Sequence, residues 1–132
     1  MRAFAAAATR TTTSEEFLAF LAIMVNVSAH EPHFVEFRRT RTQVLGAAMS
    51  RPRLVESVSK RQRETFLRFG SVTDGAKSRG QIRDDLETAA TALWFQGIQL
   101  GRVLSEMDPS LDDSDDWSAL TIEGSSAALR PK

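Results

Sequence analysis

The sequence predicts an all-α fold, a bundle of about five helices. Three observations point there. No stretch alternates apolar and polar residues with period two for long enough to be a strand. Apolar residues recur at helical spacing in five separate segments. One of these segments holds a heptad seam over three heptads. A length of 132 residues suits one domain with one modest core.

The first helix is expected from about Thr13, where Thr13 and Glu16 form a Thr-x-x-Glu capping box and Phe17, Phe20, Leu21 and Met24 make one apolar stripe. Pro32 suits the first turn of a second helix. In that helix Phe34, Phe37, Val44, Leu45, Ala48 and Met49 recur on one side, with Arg38, Arg39 and Arg41 mostly opposite. Ser50 is a plausible cap for a third helix, which carries Leu54, Val55, Val58, Phe66 and Phe69. Gly70 is its expected end, and residues 74–80 read as a turn-rich, mobile connection. In the fourth helix Leu86, Ala90, Leu93, Gly97, Leu100, Leu104 and Met107 step alternately by four and three, with Asp84, Asp85 and Glu87 expected in the first turn and Asp108-Pro109 as the stop. Gly97 and Gly101 lie near this seam. Since each mid-helix glycine costs about 1 kcal/mol relative to alanine, the pair suggests close approach of another helix. A fifth helix is expected over Ser114 to about Leu129, capped by Ser114, with Trp117 and Leu120 on its apolar edge and a frayed tail after it.

Composition narrows the function classes. The absence of Cys excludes disulfides, thiolate metal sites and Cys nucleophiles, and fits a reducing cytoplasm. A formal net charge of zero argues against a purely electrostatic nucleic-acid binder. The charge is unevenly spread, however. Residues 38–83 carry 12 bases against 3 acids, and residues 84–132 carry 3 bases against 10 acids. Complementary solvated helix faces explain this pattern, and a basic patch for an anionic partner is the alternative. The longest apolar stretch, Phe17 to Val25, is about half the ~20 residues of a bilayer crossing. The Ala- and Thr-rich residues 1–12 read as the remnant of a connecting helix or a disordered tail, with a transit peptide as the competing reading.

Constellations for chemistry are sparse. His30, His33 and Glu36 have ligand-like spacing, but Pro32 separates the histidines and no further His or Cys completes a metal site. The run from Asp112 to Asp116 invites a calcium-loop reading, yet Trp117 would occupy the position where such a loop needs Gly. Neither a nucleophile elbow nor a phosphate-cradling Gly-rich loop is present. No catalytic residue, metal or cofactor is therefore predicted, and a His30- or His33-based enzyme is the least favoured reading. Eight Phe and two Trp with no Tyr are more informative. They are expected mainly as core, with a cavity among them for an apolar ligand oriented by Gln96, Gln99 or Arg102.

The stretch Gly80-Gln-Ile-Arg-Asp-Asp-Leu-Glu, then Ala89-Ala90, Leu93, Gly97 and Asp108-Pro109, resembles the TetR family of transcriptional repressors, in the region entering the long dimerisation helix of the regulatory domain. The opening is similar too: an Ala-rich helix end, then Thr-Thr-Ser-Glu-Glu-Phe-Leu-Ala-Phe-Leu, then a helix before His-Glu-Pro. The resemblance covers most of residues 10–120. It implies a cytoplasmic regulatory domain over residues 13–129, with no membrane partner, that binds a small, mostly apolar effector and forms a homodimer through its last two helices. DNA contact would fall to a helix-turn-helix domain missing from this chain. The expected ligand-facing residues are Phe20, Met24, Phe34, Phe37, Met49, Phe66, Phe69 and Trp94. The expected dimer interface comprises Leu93, Gly97, Leu100, Gly101, Leu104, Trp117 and Leu120. The alternative is a helical interaction module that uses the basic 38–83 segment on protein or nucleic acid.

Overall fold

The computed structural model describes residues 2–111 and 114–132. The fold is all-α, and no strand occurs among the described residues. Helices run over Arg2–Thr9 (α1), Ser14–His30 (α2), Pro32–Met49 (α3), Pro52–Ser78 (α4), Thr88–Gly101 (α5), Val103–Glu106 (α6) and Ser114–Leu129 (α7), with a 3-10 turn at Pro109–Leu111. The Ala-rich start is thus helical, and it packs on α4 and α2 with Ala8 fully buried.

The core gathers Phe17, Leu18, Leu21 and Val25 of α2 with Ala76 of α4, Ile82, Phe95 of α5 and Leu129 of α7. Phe4 closes one side, with ring centroids 5.2 Å from Phe20 and 5.5 Å from Phe69. Burial of these rings is the main driving force, since aromatic side chains remove the most apolar area from water. Among the described residues no single helix is long and apolar enough to cross a membrane; α2 and α3 taken together pass that measure, and they are bent by 76° at their junction.

Local signals place most boundaries. The Thr13 hydroxyl accepts from the Glu16 N–H, while the Glu16 carboxylate accepts from the backbone and hydroxyl of Thr12, so the return half of the box is shifted by one residue. Pro32 opens α3 as expected. Ser50 does not cap α4. That position is Arg51, with no side-chain cap, and the Ser50 hydroxyl donates to the Ala47 carbonyl instead.

Two boundaries differ more. Residues 74–78, expected in a mobile loop, continue α4 to Ser78. Ala76 is fully buried against the core, and Lys77 donates to the Leu86 carbonyl and the Thr88 hydroxyl. These contacts outweigh the roughly 1 kcal/mol that Gly75 costs the helix. The chain turns at Gly80, whose φ of 66° lies in the left-handed region that favours glycine. The fourth predicted helix begins at Thr88, not Leu86. Glu87 is its N-cap and accepts from the N–H groups of Ala89 and Ala90, so Asp84 and Asp85 precede the helix and Leu86 packs half-buried on the core. The rod also loosens at Arg102 and resumes as α6.

After the turn, Gln81 is fully buried. Its amide donates to the Thr11 hydroxyl, its carboxamide oxygen accepts from Arg79, and its backbone carbonyl accepts from Ser14. This hub ties the α1–α2 connection to the α4–α5 connection. Arg83 N–H donates to the Leu129 carbonyl, and Asp85 accepts from Arg83 and from Lys132. The tail after α7, expected to fray, is therefore fastened. The predicted fifth helix matches α7 throughout; Asp112 and Asp113 lie outside the described residues, and so does the proposed cap by the Ser114 side chain.

Hydrogen bonds from Arg83 and Lys132 hold the Asp85 carboxyl well below the usual carboxylate range, and the Ala90 and Ala89 N–H groups lower that of Glu87. A depressed folded pKa adds stability above the unfolded value, about 3.9 for Asp and 4.3 for Glu, and that stability is lost as pH falls through the folded value. Thermal melts should hold steady down to about pH 5 and decline steadily below it, with a shallower acid decline in Asp85→Asn. Gly80→Ala should destabilise by about 1–2 kcal/mol in urea melts, through backbone strain alone, because a Cβ there meets nothing within 4 Å.

Candidate functional site

The inward face of α3 matches the predicted one only in part: Phe34, Leu45 and Ala48 turn inward, but Phe37, Val44 and Met49 do not. Arg38 is buried and Arg41 half-buried, while Phe37 and Met49 are 63% and 88% exposed. The cause is electrostatic. The Arg38 guanidinium forms a charge-assisted pair with Glu106 of α6, its Nε donating at 2.9 Å, and its Nη1 donates at 2.8 Å to the Ser28 carbonyl of α2. The Ser28 hydroxyl in turn donates at 2.7 Å to Gln99 of α5. With its charge matched, Arg38 can occupy a core position, and the 3.6-residue period then brings Arg41 and Thr42 inward one turn later.

Arg41 opens onto a groove of about 280 Å³ between α3, α4 and α5. That volume falls just below the roughly 300–1,000 Å³ of small-molecule pockets. Arg41 Nε donates to Gln62 at 3.2 Å and Nη2 donates to Gln96 at 2.9 Å. Gln96 is itself buried, and Arg63 stands at the same groove. Apolar lining comes from Phe66, Leu93 and Leu100, with Gly97 between the leucines. Burial lowers the Arg41 pKa from its ordinary value, but a guanidinium remains a cation at neutral pH.

The aromatic residues do not converge on one ligand cavity. Phe69 and Trp94 border an apolar void with Phe17 and Phe95, but its volume is about 30 Å³, the share of a single water in the liquid. Phe20 packs on Phe4 and Phe17, Phe34 stacks with His33 at 4.1 Å, and Met24 is half-buried. Phe66 alone of the expected ligand set lines the larger groove. Of the expected polar groups, Gln96 reaches it, Gln99 bonds Ser28, and Arg102 lies over the Trp117 ring at 5.3 Å. Arg41 and Gln62 are absent from the sequence expectation. The available signal was the 38, 41, 45, 48 spacing, which puts two arginines on one stripe with Leu45 and Ala48.

The histidines serve separate neighbours: His30 Nε2 lies 3.6 Å from Asp115, and His33 packs on Phe34. Among the described residues no group of three His, Asp or Glu side chains gathers to hold a metal ion.

The expected interface residues lie mostly open. Leu93, Leu104 and Leu120 are 65%, 71% and 70% exposed, and Gly97 and Gly101 are exposed as well. A Cβ built at Gly97, Gly101 or Gly124 meets nothing within 4 Å. Trp117 and Leu100 are half-buried. No family model, no characterised protein and no solved structure matches this chain.

Removing Arg38 should leave the Glu106 carboxylate buried without its counter-charge. Arg38→Met should therefore destabilise by about 3–5 kcal/mol in chemical denaturation, and adding Glu106→Leu should recover much of that loss.

Proposed function

We propose that residues 13–129 form the effector-binding, dimerising regulatory domain of a TetR-like transcriptional repressor acting in the cytoplasm. One observation carries the reading: the α5–α6 seam presents Leu93, Gly97, Gly101, Leu104 and Met107 to solvent, with open space above its glycines. Leucines beside glycines at heptad spacing form a surface on which a second helix can lie closely. A second copy of the same stripe is the economical partner, because a twofold axis makes one patch complementary to itself. Leu120 and Gly124 are likewise open on α7, the second helix that the resemblance implies for the interface.

The groove against Arg41 supplies the effector site. It shares Leu93, Gly97 and Leu100 with the seam, so an occupant would touch the helix on which the two copies meet. Effector binding would then bias how the copies pack, which is how a ligand shifts a repressor between states. DNA contact would belong to a helix-turn-helix domain that these residues do not include. A second reading, a basic interaction module, is favoured by the exposure of Arg53, Lys60, Arg61, Arg63 and Arg68 along α4. It requires salt-dependent binding of generic DNA by this chain.

Light scattering should give a dimer at tens of micromolar, and a monomer there would overturn the reading. Gly101→Glu and Leu104→Glu should each produce monomers. Gly101→Glu should do so with no loss of helicity, since the substitution removes a mid-helix glycine.

A further inference from the structure

We infer that the groove between α3, α4 and α5 binds a small organic acid, its carboxylate on Arg41 and its apolar body against Phe66, Leu93 and Leu100. The inference rests on the reading of this chain as an effector-binding domain and gives that effector a chemical class.

The contrast between two arginines on one helix face carries the argument. The fold supplies Arg38 with a carboxylate, Glu106. To Arg41, one turn on, it supplies only two neutral carboxamides. Arg41 makes no ion pair among the described residues, and no Asp or Glu lines its groove. A half-buried cation without a counter-charge is held at a desolvation cost that an anionic ligand would offset.

The local geometry suits a carboxylate. Gln62 and Gln96 accept through their oxygens from Nε and Nη2, which pins the guanidinium plane. Nη1 makes no hydrogen bond among the described residues, so its donors and one Nη2 N–H are left for a carboxylate. Because both carboxamides accept through oxygen, their amide N–H groups remain as further donors. Arg63 adds a second positive charge at the same groove. The rest of the lining is Phe66, Leu93, Gly97 and Leu100, which fits an alkyl or aryl group. The volume of about 280 Å³ limits the ligand to a compact acid.

Calorimetric titration of the 132-residue chain with sodium octanoate, and separately with 1-octanol, tests this. Octanoate should bind about tenfold or more tightly than the alcohol, and Arg41→Met should abolish that advantage while Arg41→Lys keeps part of it. Equal binding of acid and alcohol, or undiminished octanoate affinity in Arg41→Met, would overturn the inference. If Arg41→Met does not fold, the wild-type chain still decides: the carboxyl carbon of bound [1-¹³C]octanoate should stay in its ionised position to lower pH than the free acid, and coincident titrations would sink the proposal. Light scattering on the same samples separates the two readings. A dimer indifferent to octanoate refutes the ligand class alone, whereas a monomer that binds octanoate through Arg41 refutes the repressor reading and keeps the acid site.

Discussion

Much of this structure turns on the charge of Arg38 being met below the surface. Burying a guanidinium and a carboxylate costs each its hydration, and their attraction offsets that only when the remaining donors are also satisfied. Here Glu106, the Ser28 carbonyl and the Ser28 hydroxyl receive the guanidinium, and Gln99 receives Ser28 in turn. Four helices, α2, α3, α5 and α6, are thereby joined through one side chain. What the pair contributes is direction: it decides which stripe of α3 points inward, and with it where Arg41 ends up.

The same pair explains where sequence reasoning ran out. The period of α2 was readable because its buried face is apolar, as at Phe17, Leu21 and Val25, whereas α5 and α7 were read from apolar residues that stand exposed, Leu93 and Leu120 among them. For α3 the apolar residues Phe37, Val44 and Met49 pointed to the wrong face, because its inward stripe is set by a partner 68 residues away. No local pattern encodes such a contact. The extension of α4 past Gly70 and Gly75 was hidden for a similar reason: it depends on Ala76 meeting the core and on Lys77 reaching across to the next helix. The void among the aromatic rings is only about 30 Å³. Rings chosen by composition fill each other's space at Phe4, Phe20, Phe69 and Phe95, and the usable volume lies where arginine and glutamine interrupt the apolar lining.

Helix α5 has two distinct duties written into one sequence. Gln96 faces the groove and is buried by it, Ala92 and Phe95 face the core, and Leu93 and Gly97 stand at the boundary between groove and open seam. With one face in the core and another at the groove, the helix has little freedom to rotate without disturbing both. Interruption of the rod at Arg102, with backbone torsions still helical, leaves α6 free to follow Glu106 and its ion pair without dragging α5.

The junction of α2 and α3 consists of Glu31 alone. Its extended backbone closes one helix and opens the next, its N–H donating to Val27 and its carbonyl accepting from Phe34 and Val35. Hydrogen bonds on both sides brace this 76° corner. The arm Ser14–His30 is about 25 Å long at 1.5 Å per residue, so a tilt of about two degrees at Glu31 carries its far end by about one ångström. At that far end the Ser14 hydroxyl donates to the carbonyl of Gln81, so such a tilt would strain the link between α2 and the α4–α5 connection.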